Sequence, residues 1–344
     1  MNFRGRLGFE YLPPQEQQAY KVMLKAFSSM AVSVNCSQIN RDVDLMKVMK
    51  TVLGDNPFIV YFGKSTIEIQ TSGFERQQFF LTDVQSKPQA EKMRAALDAT
   101  ANKIVSLVRG KAKSNDEYSL LINLYEFLQK DIRYDYEEYQ ITLGEKSVNP
   151  TAHNAYGAII NKLAVCDGFS LGFSLLAQKL GFECMLVTGP SGNDTELHAW
   201  NIIKIRNRFY HFDITWDAND SDEFSYNYFA VTDKEIARCE HNWDKATTPV
   251  CSSSDFSYYS KNGLYVSNTK ELSDIIKAFG KKSANVFRIK LARSIKLPDN
   301  AEDYLIQMVL KEAAKPGMRT QASCNWNENT RCFFAKVLYK ERGC

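Results

Sequence analysis

Ala164-Val165-Cys166-Asp167-Gly168-Phe169 is the stretch from which the fold of this 344-residue chain is read. Beyond it, apolar residues recur at Phe169, Phe173, Leu176 and Leu180, and Gly181 follows, a pattern that predicts a helix with Cys166 at or near its first turn. Free backbone N–H groups and the positive end of the helix dipole stabilise a thiolate at such a place. The Cys166 N–H would also be one donor toward a developing oxyanion.

Working outward, Glu183 to Thr188 reads as a strand and Gly189-Pro190-Ser191-Gly192 as its turn. His198-Ala199-Trp200-Asn201-Ile202-Ile203 opens a second strand, Arg206-Asn207-Arg208 supplies a hairpin turn, and Phe209-Tyr210-His211-Phe212-Asp213-Ile214 forms a third. Antiparallel pairing of the last two lets Asp213 approach His198 across the ladder. A thiol at a helix start, an imidazole at a strand start and a carboxylate on the neighbouring strand are the parts of a Cys-His-Asp triad.

Each of these residues also has a plainer reading. Cys166 fits a small buried hydrophobe, His198 a satisfied core histidine and Asp213 a strand-end cap. His211 shares a strand face with Asp213 by the two-residue period and is expected to pack or to sit at the surface. Trp200 and Trp216 flank the histidine and the aspartate, and either wall a substrate cleft or belong to the core. Tyr156 is a candidate second oxyanion donor. The acidic run from Asp217 to Glu223 is expected to be a solvated loop.

Taken together, Ala155-Tyr156-Gly157-Ala158, Ala164 to Phe169, Leu180-Gly181, His198-Ala199-Trp200-Asn201, Tyr210 to Asp217 and Tyr226-Asn227-Tyr228-Phe229 resemble the transglutaminase-like superfamily, in particular bacterial members with a papain-like cysteine-protease core. The resemblance covers about residues 115 to 235. Where relatives often have Gly-Lys ahead of Ala-Val-Cys, this chain has Lys162-Leu163. The resemblance implies an α+β fold in which a helix-borne Cys packs on an antiparallel sheet. It also implies attack by Cys166 on an acyl carbon, proton transfer by His198 and orientation of the imidazole by Asp213. Hydrolysis of a peptide or amide bond is the preferred outcome. Transamidation and a non-catalytic peptide- or protein-binding module are the alternatives.

On either side the periodicities predict small α+β domains. Residues 1–85 carry helices after Pro13-Pro14 and from Asp42, the second stopped at Gly54, then strands at 58–62, 66–69 and 78–81. Residues 86–250 are the expected core, entered through a helix over 88–107 ending at Gly110 and another capped by Ser114 or Asn115. Residues 251–344 begin with Cys251-Ser252-Ser253-Ser254-Asp255, a linker, and continue in β-α-β-α-β order, with the last strand at 333–339.

Composition narrows the function classes. Net charge is +3 with 24% charged residues, so general attraction to nucleic acid or anionic lipid has no compositional basis. The triad and the resemblance imply a peptide or protein substrate, cell-wall peptide included. No apolar run is long enough to span a membrane and the start lacks the apolar stretch of a secretory signal, which leaves location and oligomeric state open. Eight cysteines occur without a C-x-x-C. A zinc site would need scattered positions such as Cys166, Cys184, His198 and His211, so neither metal nor cofactor is expected.

Overall fold

Pro14 at the start of a helix loses no hydrogen bond it could have made, and the first long helix begins there. The computed structural model describes residues 6–63, 65–72, 74–81, 83–114, 116–141, 147–192, 196–218, 223–282 and 284–341. A short α1 (Leu7–Tyr11) precedes α2 (Pro14–Ser28), which buries Tyr20, Met23, Leu24 and Phe27. Strand β1 (Ser33–Asn35) leads to α3 (Leu45–Asp55), whose Asp44 cap accepts from the Met46 and Lys47 N–H groups. Gly54 lies inside α3 rather than stopping it, and the helix closes at Asn56. Strands β2 (Ser65–Ser72) and β3 (Phe74–Leu81) complete a sheet of order β1-β3-β2.

The strand expected at 58–62 does not form. Its apolar residues serve packing instead: Phe62 meets Phe27 at 5.5 Å, Tyr61 donates to the Ala31 carbonyl at 2.8 Å, and the Tyr61 carbonyl accepts from Gln85 at 2.7 Å. Lacking a partner strand, the run pairs its backbone with scattered groups, the Ile59 N–H with the Asn56 carbonyl and the Tyr61 carbonyl with the Gln85 N–H.

Helix α4 (Lys87–Lys111) includes Gly110, and α5 (Glu117–Asp131) is capped by Asp116, whose carboxylate accepts from the Ser119 N–H. Asn115 lies outside the described residues. Next, β4 (Arg133–Tyr134) pairs in parallel with β5 (Leu163–Ala164). Between them come α6 (Tyr136–Tyr139), a 3₁₀ turn Pro150–His153 and a π-helical turn Gly157–Asn161. Lys162, at the departure from the family pattern, adopts φ +58° and pairs with Asp131.

Helix α7 (Cys166–Leu180) starts at Cys166 and ends at Gly181 with φ +103°, a conformation open to glycine at no cost. It packs on an antiparallel sheet of β6 (Glu183–Ser191), β7 (Glu196–Ile205), β8 (Arg208–Phe212) and β9 (Phe229–Val231), in that order, with a single helical turn α8 (Ile214–Asp217) between β8 and β9. Phe173 of α7 meets Tyr125 and Phe212 edge-on at 6.0 and 5.7 Å. Buried Asn201 on β7 donates to the Ser170 carbonyl and the Ser174 hydroxyl, and Ser170 Oγ donates back to the Ala199 carbonyl. These bonds fix the cysteine's helix to the histidine's strand. The fold is therefore α+β, with a helix-borne Cys on an antiparallel sheet.

Two compact units emerge. The first takes in the chain through Asp233 together with Glu240–Ser253, and the second takes in Lys234–Cys239 and the chain from Ser254 onward. Residues near the start have an apolar cluster of their own, centred on Tyr20, Met23, Val48 and Val52, yet belong to the first unit. The second unit holds most of α9 (Asp233–Arg238), then α10 (Tyr258–Lys261), β10 (Tyr265–Val266), α11 (Thr269–Lys282), β11 (Val286–Leu291), α12 (Ala301–Ala313), β12 (Met318–Asn327) and β13 (Cys332–Glu341). Its sheet order is β10-β11-β13-β12, over a core of Leu272, Ile276, Ile289, Leu305 and Phe333. Strand β12 adds a hairpin to the expected β-α-β-α-β order. Among the described residues no helix is long and apolar enough to cross a membrane.

Gly168 shows how closely the parts fit. A Cβ there would lie 2.0 Å from the Ala152 carbonyl oxygen, so only glycine lets the 3₁₀ turn rest against the first turn of α7. Gly168→Ala is expected to destabilise the fold by about 2 kcal/mol or more despite the gain in helix propensity. Urea unfolding measures this; an unchanged midpoint would contradict the packing.

Candidate active site

Cys166 is the first residue of α7, partly exposed, and the preceding Val165 offers no side-chain cap to the helix start. Of the seven cysteines among the described residues five are buried, which leaves Cys166 and Cys324 as the two with some access to solvent. His198 stands on β7 opposite Gly189 of β6 and is 6% exposed. Its Nε2 lies 2.7 Å from Asp213 Oδ2, so Nδ1 is the ring nitrogen left for other partners. Burial alone opposes the imidazolium. The Asp213 charge and hydrogen bond, with a hydrogen bond and charge interaction from Cys166, outweigh it and push the His198 pKa up to about 10.

Asp213 follows β8 and is fully buried. Its Oδ1 accepts from the Trp216 N–H, which makes it the cap of α8, while Oδ2 faces His198. The two readings of this residue, cap and imidazole partner, thus both hold, one for each oxygen. Its backbone is tied as well: the N–H donates to the Tyr228 carbonyl at 3.2 Å, and the carbonyl accepts from the Tyr125 hydroxyl at 2.9 Å. Burial opposes the charged form, yet the neighbouring imidazoles hold the carboxyl below the usual carboxylate range.

A residue that the sequence does not single out completes this group. His241 is 2% exposed and its Nε2 lies 2.8 Å from the same Asp213 Oδ2. It sits in an irregular stretch 28 residues beyond Asp213 with no periodicity around it. The only available signal was that the chain has four histidines in all.

Other candidates find different places. Trp200 is fully buried, stacked 5.9 Å from His198 and edge-on to His241 and Trp243, so it packs beneath the histidine and walls no accessible cleft. Trp216 is 38% exposed with its ring 5.4 Å from His198, and it remains the accessible aromatic beside the imidazole. Tyr156, half-buried, precedes the π-helical turn and donates its N–H to Asn154 Oδ1. His211 is buried: Nδ1 accepts from the Trp200 indole N–H, so Nε2 carries the proton given to Asp233. Burial dominates there and lowers its pKa.

Asp217 is not part of a solvated loop. It is fully buried and accepts from Tyr125, Ser225, Asn227 and Tyr228, and burial raises its pKa to about 6. Residues 219–222 of that acidic run lie outside the described residues.

Two groups of potential metal ligands lie within 4.8 Å among the described residues: His198, Asp213 and His241, and His211, Asp233 and Cys251. Neither is the set considered from sequence, since the Cys184 thiol lies against Ser174 and Asn201. The 2.7 and 2.8 Å separations in the first group are hydrogen-bond distances, shorter than the ~3.3 Å between ligands of a tetrahedral ion with ~2.0 Å bonds. Protons explain this geometry.

Residues 105–214 match the Transglutaminase-like superfamily. Among solved structures, the crystal structure of a TGase is similar with TM-score 0.33 and 15% identity, over 47% of this chain and 46% of that one. A structure from Cytophaga hutchinsonii described as a "putative cysteine protease" has TM-score 0.27 and 15% identity, over 44% of this chain and 62% of that one. Menin, whose structure reveals the binding site for Mixed Lineage Leukemia protein, has TM-score 0.26 and 12% identity, over 76% of this chain and 45% of that one. Each match thus spans less than two thirds of the solved chain. No curated protein matches the sequence.

A further imidazole is paired with the residue that follows the cysteine. His153 Nδ1 is 3.0 Å from an oxygen of Asp167, the residue after Cys166, and Nε2 is 3.1 Å from buried Glu138. Burial opposes its charge, but the Asp167 charge, then hydrogen bonds to Asp167 and Glu138, push its pKa up to about 9. A histidine raised on folding stabilises fully below its unfolded pKa of about 6.5 and loses this as pH rises through the folded value. Replacing His153 by Gln is expected to cost on the order of 2 kcal/mol at pH 6, with the difference closing by pH 9.5. Urea unfolding at the two pH values measures it; a gap independent of pH would contradict the ion pairing.

Proposed function

Because residues 105–214 match the Transglutaminase-like superfamily, we propose that the chain is a cysteine-dependent acyl-transfer enzyme that hydrolyses a peptide or amide bond. The observation that carries this is the buried Asp213 carboxylate 2.7 Å from His198 Nε2, with Cys166 at a helix start among the groups that raise the same imidazole. In this mechanism the Cys166 thiol passes its proton to His198 and attacks the acyl carbon. Negative charge on the carbonyl oxygen forms near the Cys166 N–H, with Tyr156 as a proposed second donor. His198 then returns the proton to the leaving amine as the carbon–nitrogen bond breaks, leaving a thioester on Cys166.

Water, deprotonated by His198, attacks the thioester and releases the acid with the free thiol. An amine in place of water gives transamidation through the same intermediate. Trp216, exposed beside His198, is the proposed contact for substrate. The superfamily match supports the class of reaction, and the buried carboxylate 2.7 Å from His198 Nε2 supports an imidazolium at this position.

Cys166→Ala is expected to lower turnover of a peptide substrate by at least about 10³-fold while the thermal unfolding temperature stays the same. Mass spectrometry of the wild type quenched during turnover is expected to find an acyl adduct on Cys166, and added primary amine to divert only a minor part of the product. Undiminished turnover in Cys166→Ala would overturn the proposal. Peptide binding without turnover or adduct would assign the chain to a binding module instead.

A further inference from the structure

We propose that His241 is a positioning residue of this site, donating to the same Asp213 oxygen as His198 so that one buried carboxylate oxygen holds two imidazoles. The inference rests on the acyl-transfer reading above and adds a residue to it. The two Nε2 atoms lie 2.7 and 2.8 Å from Asp213 Oδ2. A carboxylate oxygen has two lone pairs and an ionised carboxylate has no proton to give, so each ring must be the donor. The ring centroids are 5.4 Å apart at 72°, so the rings converge edgewise on the oxygen instead of stacking.

The chain spends structure on placing this ring. Ser191 bridges to His241 at the end of β6, and the Asn242 N–H donates to the Pro190 carbonyl at 3.0 Å. Gly189, the residue opposite His198 in the ladder, makes room for that approach, since a Cβ on it would stand 1.8 Å from the Asn242 carbonyl oxygen. Three aromatic rings then fix the imidazole: Trp216 at 4.4 Å, Trp200 at 4.9 Å and Tyr228 at 5.8 Å. Two of these also flank His198, at 5.4 Å for Trp216 and 5.9 Å for Trp200.

The chemical consequence follows from the shared oxygen. With Oδ1 capping α8 and Oδ2 held by His241, the carboxylate has no rotation left, and the lone pair aimed at His198 keeps its direction. A second donor also lowers the basicity of Asp213, so the Nε2 proton stays on His198 rather than passing to the carboxylate. The titratable groups that face His241 are Asp213, His198, His211 and Tyr228 from the surrounding strands and turns. His241 touches no reacting atom and acts through Asp213.

The test is the rate of iodoacetamide alkylation at Cys166 in the full chain, mapped by mass spectrometry at pH 6 and pH 9.5. At pH 6 only a thiol paired with a held imidazolium reacts quickly, whereas at pH 9.5 thiols ionise unaided. His241→Phe, which keeps a ring and loses the donor, is expected to slow Cys166 at least ten-fold at pH 6 and less than three-fold at pH 9.5. His241→Gln, whose amide nitrogen takes the place of Nε2, is expected to recover the pH 6 rate to within three-fold of wild type.

Equal rates for wild type and His241→Phe at pH 6 overturn the inference and leave the acyl-transfer reading standing. The same follows if His241→Gln is as slow as His241→Phe, or if His241→Phe is slowed equally at both pH values, since either marks a packing role. If wild-type Cys166 reacts no faster at pH 6 than the other cysteines, the acyl-transfer reading fails and the positioning role falls with it.

Discussion

The site depends on keeping one carboxylate charged out of reach of water. Asp213 is fully buried, and an unpaired charge there would cost several kcal/mol. Every polar group of the residue is used: N–H to Tyr228, C=O from Tyr125, Oδ1 from Trp216, and Oδ2 from His198 and His241. All five partners belong to aromatic or imidazole residues, three through side chains and two through backbone groups, so the charge is held by a rigid shell rather than by flexible lysines. A buried ion pair is weak evidence of stability but good evidence of a fixed arrangement, and here the arrangement sets the direction of His198.

The same device recurs through the first unit. All four histidines of the chain lie against carboxylates: His153 against Glu138 and Asp167, His198 and His241 against Asp213, and His211 against Asp233. Three of them, His153, His198 and His211, shift in different directions because their surroundings differ. His153 and His198 face strong anionic partners and are raised, while His211, fully buried and holding the Trp200 N–H at Nδ1, is lowered. Trp200 links two of these groups, which accounts for its burial beneath His198.

Much of this was legible from local pattern. The helix from Cys166 to Gly181 and the hairpin carrying His198 and Asp213 follow from periodicity and turn chemistry, because each of these elements buries one continuous face. What escaped is what depends on contacts distant in sequence. His241 lies in a stretch without regular structure, and only its docking on β6 brings it to Asp213. Asp217 reads as the start of an acidic loop, but Tyr125 on a remote helix and Tyr228 beyond the loop close around it.

Strand β12 carries few apolar residues and is specified by ten register pairs with β13 rather than by its own pattern. Residues 58–62 show the converse, an apolar run with strand composition that the neighbouring helices use as packing.

The most direct test of the central claim is a titration of ¹⁵N-histidine-labelled protein followed by NMR, comparing wild type with Asp213→Asn. If the buried carboxylate sustains the His198 imidazolium, His198 stays doubly protonated in wild type past pH 8 and titrates near or below its ordinary value of about 6.5 in Asp213→Asn. A His198 that titrates at the same pH in both proteins would contradict it.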